Sequence, residues 1–362
     1  MLKPPELLKI ELMANGMKIT EKAKNELTRG GKIPLSLFEY ATTSGIPLQF
    51  HNTNIFINSH FAEGFCKNAK AVLDFNDNSF SLNFEGKSIR VESIPLPSYF
   101  DKKNKKGKEY GWFAMTHTDR VRISPIAGCS FSCQFCDLSY SSKYKKRDVN
   151  NFIESIEIAL EDPILPAKHI LISGGNPLPK DEKYIDRVYK KIIKSFDEPV
   201  DIMMVARKDI NYVDELYSWG VNELSVNLEL FNQEIAGKLI IGKNKISQQG
   251  YFNFLKRAVE VFGKNNVRSI LLIGLEPIED TLKGVEALSK IGVSPVLSPF
   301  QPSPKTPLSQ VPPPNKNQLI EAYEKSLEIV KKWGVKLGPK CIPCHHNTLT
   351  FPDGSEFYEY TK

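Results

Sequence analysis

Arg120-Val-Arg-Ile-Ser-Pro-Ile-Ala-Gly-Cys-Ser-Phe-Ser-Cys-Gln-Phe-Cys136 runs from a short β-branched stretch straight into a loop that carries Cys129, Cys133 and Cys136. Arg120 to Ile126 has the length and side chains of a strand. Three thiolates at CxxxCxxC spacing on one loop can hold three irons of a four-iron cluster and leave the fourth iron open. Structural zinc also uses closely spaced cysteines, but usually as separated CxxC pairs, and no histidine stands beside this triplet.

Downstream, His169 to Ser173, Val200 to Ala206, Glu223 to Leu230, Val267 to Gly274 and Ser294 to Ser298 read as five more strands. Helical patterns at Asn150 to Ala159, Asp181 to Ile193, Val213 to Trp219, Gln248 to Phe262 and Leu282 to Ile291 separate them. This alternation predicts βα units around a parallel sheet, an α/β fold. In barrels so built, reactive groups collect at the carboxyl ends of the strands, where the cysteine loop lies.

Residues 1–110 read as a small N-terminal α+β module, suited to capping the barrel or recognising a substrate. Helices are expected at Lys18 to Thr28 and Leu35 to Thr43. A meander follows: Ala71 to Phe75, Ser79 to Phe84 and Lys87 to Ile94, with turns at Asn76-Asp77-Asn78 and Glu85-Gly86. Lys102 to Lys108 forms a solvated linker, though it could also draw phosphate or an acidic electron-transfer protein. The barrel takes residues 111–310. Residues 311–362 hold a helix from Asn317 to Trp333 and the segment Lys340-Cys-Ile-Pro-Cys-His-His346.

The 362 residues are 41% apolar, enough for a large core. No stretch approaches the ~20 apolar residues of a membrane span. Prolines 4 and 5 interrupt the start before a signal-peptide apolar region, so a cytoplasmic location is expected. Six cysteines in so long a chain point to metal or catalysis rather than to a disulfide scaffold. A net charge of +6 is weak for a nucleic-acid face.

The cysteine spacing, with Phe135 before the third cysteine, resembles the signature of the radical S-adenosylmethionine (SAM) superfamily. The resemblance implies a partial (β/α)6 TIM-like barrel and a 4Fe-4S cluster on Cys129, Cys133 and Cys136. It also implies that SAM chelates the open iron and is reductively cleaved to a 5′-deoxyadenosyl radical, with reduced flavodoxin or ferredoxin as electron donor. Ser173-Gly-Gly-Asn-Pro177 resembles the family's GGE motif, so Gly174, Gly175 and Asn176 are expected at SAM's amino group, with Asn176 in place of the usual acid. Ser225, Asn227 and Glu229 alternate along the fourth strand. Asn227 and Glu229 take the ribose or carboxylate by resemblance; otherwise they are outer-face residues. Gly274 would make room for adenine. Arg207 would pair with SAM's carboxylate, or else is a surface arginine beside Lys208. Pro299 to Leu308 resembles a PxxGTPL-like segment of the biotin-synthase-like branch, with Lys305 in place of glycine.

Cys341, Cys344 and His345 are a candidate auxiliary site for zinc or a second iron–sulfur cluster, joined by His346 or Cys66. A redox dithiol is the alternative, and inert structure the third. A small-molecule biosynthetic substrate is expected. A peptide- or tRNA-modifying enzyme, or a zinc-stabilised binding protein without catalysis, are the alternatives.

Overall fold

Six parallel strands carry the cysteine loop: β1 (Arg120–Ile123), β2 (His169–Ile172), β3 (Val200–Met204), β4 (Leu224–Val226), β5 (Val267–Ile273) and β6 (Ser294–Pro299), hydrogen-bonded in chain order. The structure is a computed structural model that describes residues 2–27, 45–61 and 65–352. Helices α1 (Val149–Leu160), α2 (Glu182–Ser195), α3 (Tyr212–Trp219), α4 (Gln248–Phe262) and α5 (Ile278–Lys290) alternate with the strands, and α6 (Lys316–Trp333) follows β6. Side-chain caps open several of them: Asp148 accepts from Asn150 N, and Ser247 from Gly250 N.

Register makes the sheet two-faced. Ile123, Ile172, Ile202, Leu224 and Val267 fall in one row, all buried in the core. By alternation, the rows Arg122, Leu171, Asp201 and Met203, Ser225, Arg268, Ser294 lie on the other face, the inside of the curl. An α/β fold with a curled half-barrel sheet results, with an antiparallel edge strand, Ala114–His117, beside β1 that the sequence pattern did not give away.

The N-terminal region folds as a six-stranded sheet in the order 18–19, 72–76, 79–84, 87–93, 46–50, 56–59. Positive φ at Asp77 and Asn78, and at Glu85 and Gly86, makes the two tight hairpin turns. Two expectations change here. The helix expected from Lys18 starts at Glu21, because Lys18–Ile19 pairs in parallel with Val72 and Leu73. Pro4 and Pro5 open a helix, Pro4–Asn15, at positions where no N–H is needed. The helix expected at Leu35 to Thr43 lies outside the described residues. No helix among the described residues is long and apolar enough to cross a membrane.

The C-terminal segment runs beside β6 and under the N-terminal sheet. Gly338 N donates to Pro295 O at 2.8 Å, Leu349 N to Leu297 O at 2.9 Å, and Asn58 N to His346 O at 2.9 Å. Lys9, fully buried, pins it by donating from Nζ to His345 O (2.7 Å) and Thr350 O (3.0 Å). Burial pulls the Lys9 ammonium down to about 7 from 10.5. The unfolded chain therefore holds more protons than the folded one between these values, and stability rises with pH across that window, by up to about 1.4 kcal/mol per pH unit. Lys9→Met should flatten that slope in denaturation curves taken from pH 7 to pH 10.

Candidate functional site

The cysteine loop leaves the carboxyl end of β1 and is gripped from two sides. The Gly174-Gly175-Asn176 turn after β2 presses on it so closely that a Cβ on Gly175 would lie 1.7 Å from Gly128 O. Asn176 N donates to Cys129 Sγ at 3.1 Å, Phe131 N to the same sulfur at 3.4 Å, and Ser130 N to Asn176 O at 3.0 Å. Asn176 Nδ2 donates to Ser130 Oγ and Pro177 O, which leaves Oδ1 as its acceptor. On the other side, a short helix (Gln233–Leu239) holds Gln134, whose N donates to Leu239 O at 2.9 Å and whose Nε2 donates to Lys238 O. This helix was missed in the sequence, being too short for a clear period, although Asn232 caps it as a helix start should be capped.

Cys133 and Phe135 are buried in an apolar cluster with Leu230, Ala236, Ile240, Leu272 and Phe300. Burial pushes the Cys133 thiol up to about 11 and the Cys136 thiol up to about 12. Backbone N–H donors to sulfur and an apolar wall suit thiolates bound to a cluster, whose irons supply the charge the surroundings withhold. The donor set therefore fits a 4Fe-4S cluster.

Beside Cys133 lies a buried ion pair, Lys243 Nζ to Glu229 Oε1 at 2.6 Å, with Lys243 also donating to Asn227 O at 3.2 Å. Burial depresses the ammonium, and the Glu229 carboxylate more than restores it. The expected alternation of Ser225, Asn227 and Glu229 is broken. Ser225 pairs with Arg268 but Glu229 bridges to Leu271, one extra residue on the β4 side, and Glu229 takes φ +71°. Ser225 Oγ donates to Asn227 Oδ1. Glu229→Gln leaves the ammonium buried without its partner and should cost about 3–5 kcal/mol. The double variant with Lys243→Met should recover much of that loss in urea denaturation.

Other residues just past the strand ends are held by contacts within the protein. Arg207 pairs with Asp186 of α2 at 2.8 Å and stacks on Tyr212 at 3.5 Å, so its charge is already matched. The space beside Gly274, expected for adenine, is filled by Pro314, 2.8 Å from where a Cβ would stand. Glu276 accepts from Phe231 N and Asn232 N.

At the amino end of the strands stands the second cysteine pair. Arg120 Nη1 donates to Cys344 Sγ at 2.9 Å and to Cys341 Sγ at 3.4 Å. Burial raises Cys341, but the hydrogen bond from Cys344 and the charges of Arg120 and Arg268 bring it below the ordinary thiol value; Cys344 is held well above it, first by that hydrogen bond. His345 does not turn to the pair: its Nε2–H donates to Pro339 O at 2.9 Å. Cys66 packs its sulfur on Gly16 in the N-terminal region. Among the described residues, no three His, Cys, Asp or Glu side chains gather to hold one metal ion.

The family model described as the radical SAM superfamily matches residues 123–288, which hold the last residue of β1, the cysteine loop, the glycine turn and β2 to β5, so the chain carries a radical SAM domain. That domain supports an enzyme. The chain is 32% identical over 124 residues to the bacteriochlorophyllide c C-7(1)-hydroxylase of Chlorobaculum limnaeum, covering 33% of this chain and 31% of that one. It is 24% identical over 175 residues to the GTP 3′,8-cyclase of Trichodesmium erythraeum, covering 46% and 51%. It thus spans about a third and about half of these relatives' lengths. In fold it is similar to a radical SAM methyltransferase from Sphaerobacter thermophilus, with a TM-score of 0.50 and 12% identity over 77% of this chain and 81% of that one.

Proposed function

We propose that the chain reductively cleaves SAM at a 4Fe-4S cluster held by Cys129, Cys133 and Cys136, and uses the resulting 5′-deoxyadenosyl radical to take a hydrogen atom from a small-molecule biosynthetic substrate. The observation that carries this reading is the glycine turn locked on to the cysteine loop, at the carboxyl end of the first two barrel strands. Cluster and SAM together supply the one-electron bond cleavage. The chain's own part is positioning. Backbone groups at Gly174 and Gly175, with Asn176 Oδ1, suit SAM's ammonium as acceptors. Asn227, on the inner side of β4, is the candidate for the ribose or carboxylate, and Glu229 joins it only by sharing its carboxylate with Lys243. Phe135, Leu230, Leu272 and Phe300 wall Cys133 off from water.

Both curated relatives are named for small molecules, a bacteriochlorophyllide and GTP, which favours that substrate class over a peptide or tRNA. Reduced flavodoxin or ferredoxin is the proposed electron source and the cytoplasm the proposed location. The test is anaerobic reconstitution. Brown protein holding about four irons, and forming 5′-deoxyadenosine from SAM once reduced, supports the proposal. Colourless protein with stoichiometric zinc and no SAM cleavage would sink it and favour a zinc-stabilised binding protein.

A further inference from the structure

We propose that Cys341 and Cys344 form a dithiol–disulfide couple, a two-electron redox site at the amino end of the barrel strands, separate from the cysteine loop at their carboxyl end. Both cysteines are free, and Cys344 N donates to Cys341 O at 3.1 Å across one turn. A helical turn of this kind brings the two Cα atoms within the ~4.4–6.8 Å that a disulfide spans. Cys341 is buried, while Cys344 is partly exposed and offers the point of entry.

The surroundings select thiolate chemistry over a metal cation. Arg120 donates to both sulfurs. Arg268, also buried, binds Glu223 through Nη1 at 2.9 Å, and its Nη2 has no hydrogen-bond partner. Two guanidinium groups repel a divalent ion and favour a negative sulfur. Other titratable groups at this end include Asp201, His169, Lys340, Asp119, His117 and His346, with Asp201 held by Asn222 and 3.8 Å from His169, and Lys340 3.4 Å from Glu223.

With Arg120 on both sulfurs, the reduced pair is written as one thiolate, Cys341, and one thiol, Cys344. Against a small disulfide RSSR, the proton shifts to Cys341, the Cys344 thiolate attacks one sulfur, and RS⁻ leaves. Cys341 then attacks the Cys344 sulfur of the mixed disulfide, the second RS⁻ leaves, and one of the two leaving groups takes the shared proton. Two electrons pass from the pair to RSSR, and a dithiol reverses the step. Because the arginines stabilise the reduced form, the bridge should be readily reduced.

The inference does not rest on SAM chemistry, and its readout is mass. The cluster-loaded full chain is equilibrated anaerobically in mixtures of oxidised and reduced glutathione, quenched with acid, alkylated and digested. The peptide bearing both cysteines should lose about 2 Da, escape alkylation, and return on adding dithiothreitol. Arg120→Gln should move the equilibrium about tenfold or more toward the disulfide. Should that variant not fold, Cys341→Ser serves instead: Cys344 should then stop at the mixed disulfide with glutathione. Two thiols still alkylated in excess oxidised glutathione, or a pair shielded by stoichiometric zinc or iron, would overturn the proposal.

Discussion

Gly175→Ala should strip the chain of its iron and of SAM cleavage without touching a single cysteine. A Cβ there would sit 1.7 Å from Gly128 O, 2.7 Å from Gly128 C and 2.9 Å from Cys129 Cα. All three are backbone atoms, so no rotamer change relieves the contact, and either the cysteine loop or the turn after β2 has to move. Moving either one breaks the pair of bonds that joins them, Asn176 N to Cys129 Sγ and Ser130 N to Asn176 O. The local cost is about 3 kcal/mol, the upper range for overpacking. Because it falls on a surface loop and not on the core rows of the sheet, the melting of the barrel should change far less than the iron content. Iron per chain after reconstitution, read beside the circular dichroism melt, checks this. Wild-type iron content in Gly175→Ala would show that the turn does not brace the loop.

How much of this was legible in the sequence depended on whether the signal was local. The parallel strands announced themselves as β-branched runs because their outward row, Ile123, Ile172, Ile202, Leu224 and Val267, must be apolar to meet the helices. Helix α4 matched its expected limits, since a serine cap and fifteen residues of amphipathic period mark both ends. Glu229 misled, because a one-residue bulge on β4 resets the alternation, and a bulge leaves no mark in a run of polar and apolar letters. The surroundings of Arg207 were hidden for a different reason: its partners, Asp186 and Tyr212, come from two helices that only the folded barrel brings together. The base of the barrel was the least legible. Arg120 and Arg268 stand at the starts of strands 148 residues apart in the chain, and nothing in either strand says that both face Cys341 and Cys344.

Single alanine substitutions should divide the cysteines into two groups that share chemistry but not purpose. Removal of Cys129, Cys133 or Cys136 leaves two thiols for a cluster that needs three, and iron should fall from about four per chain to background. With the iron goes the electron path to SAM, and 5′-deoxyadenosine formation should drop by a factor on the order of 10³ or more. Cys133→Ala should be the harshest of the three for the surrounding structure as well, since its sulfur belongs to the apolar cluster with Leu230, Leu272 and Phe300 and lies beside Lys243, whose charge the cluster's thiolates help to balance. Cys341→Ala and Cys344→Ala act at the other end of the strands, where Arg120 and Arg268 stand, so they should leave the iron count at about four. Iron analysis and anaerobic product assays on the five variants, done side by side, make the comparison. A loss of iron in Cys341→Ala or Cys344→Ala equal to that in Cys136→Ala would place a second cluster at the base of the barrel and remove the grounds for treating that pair as a dithiol.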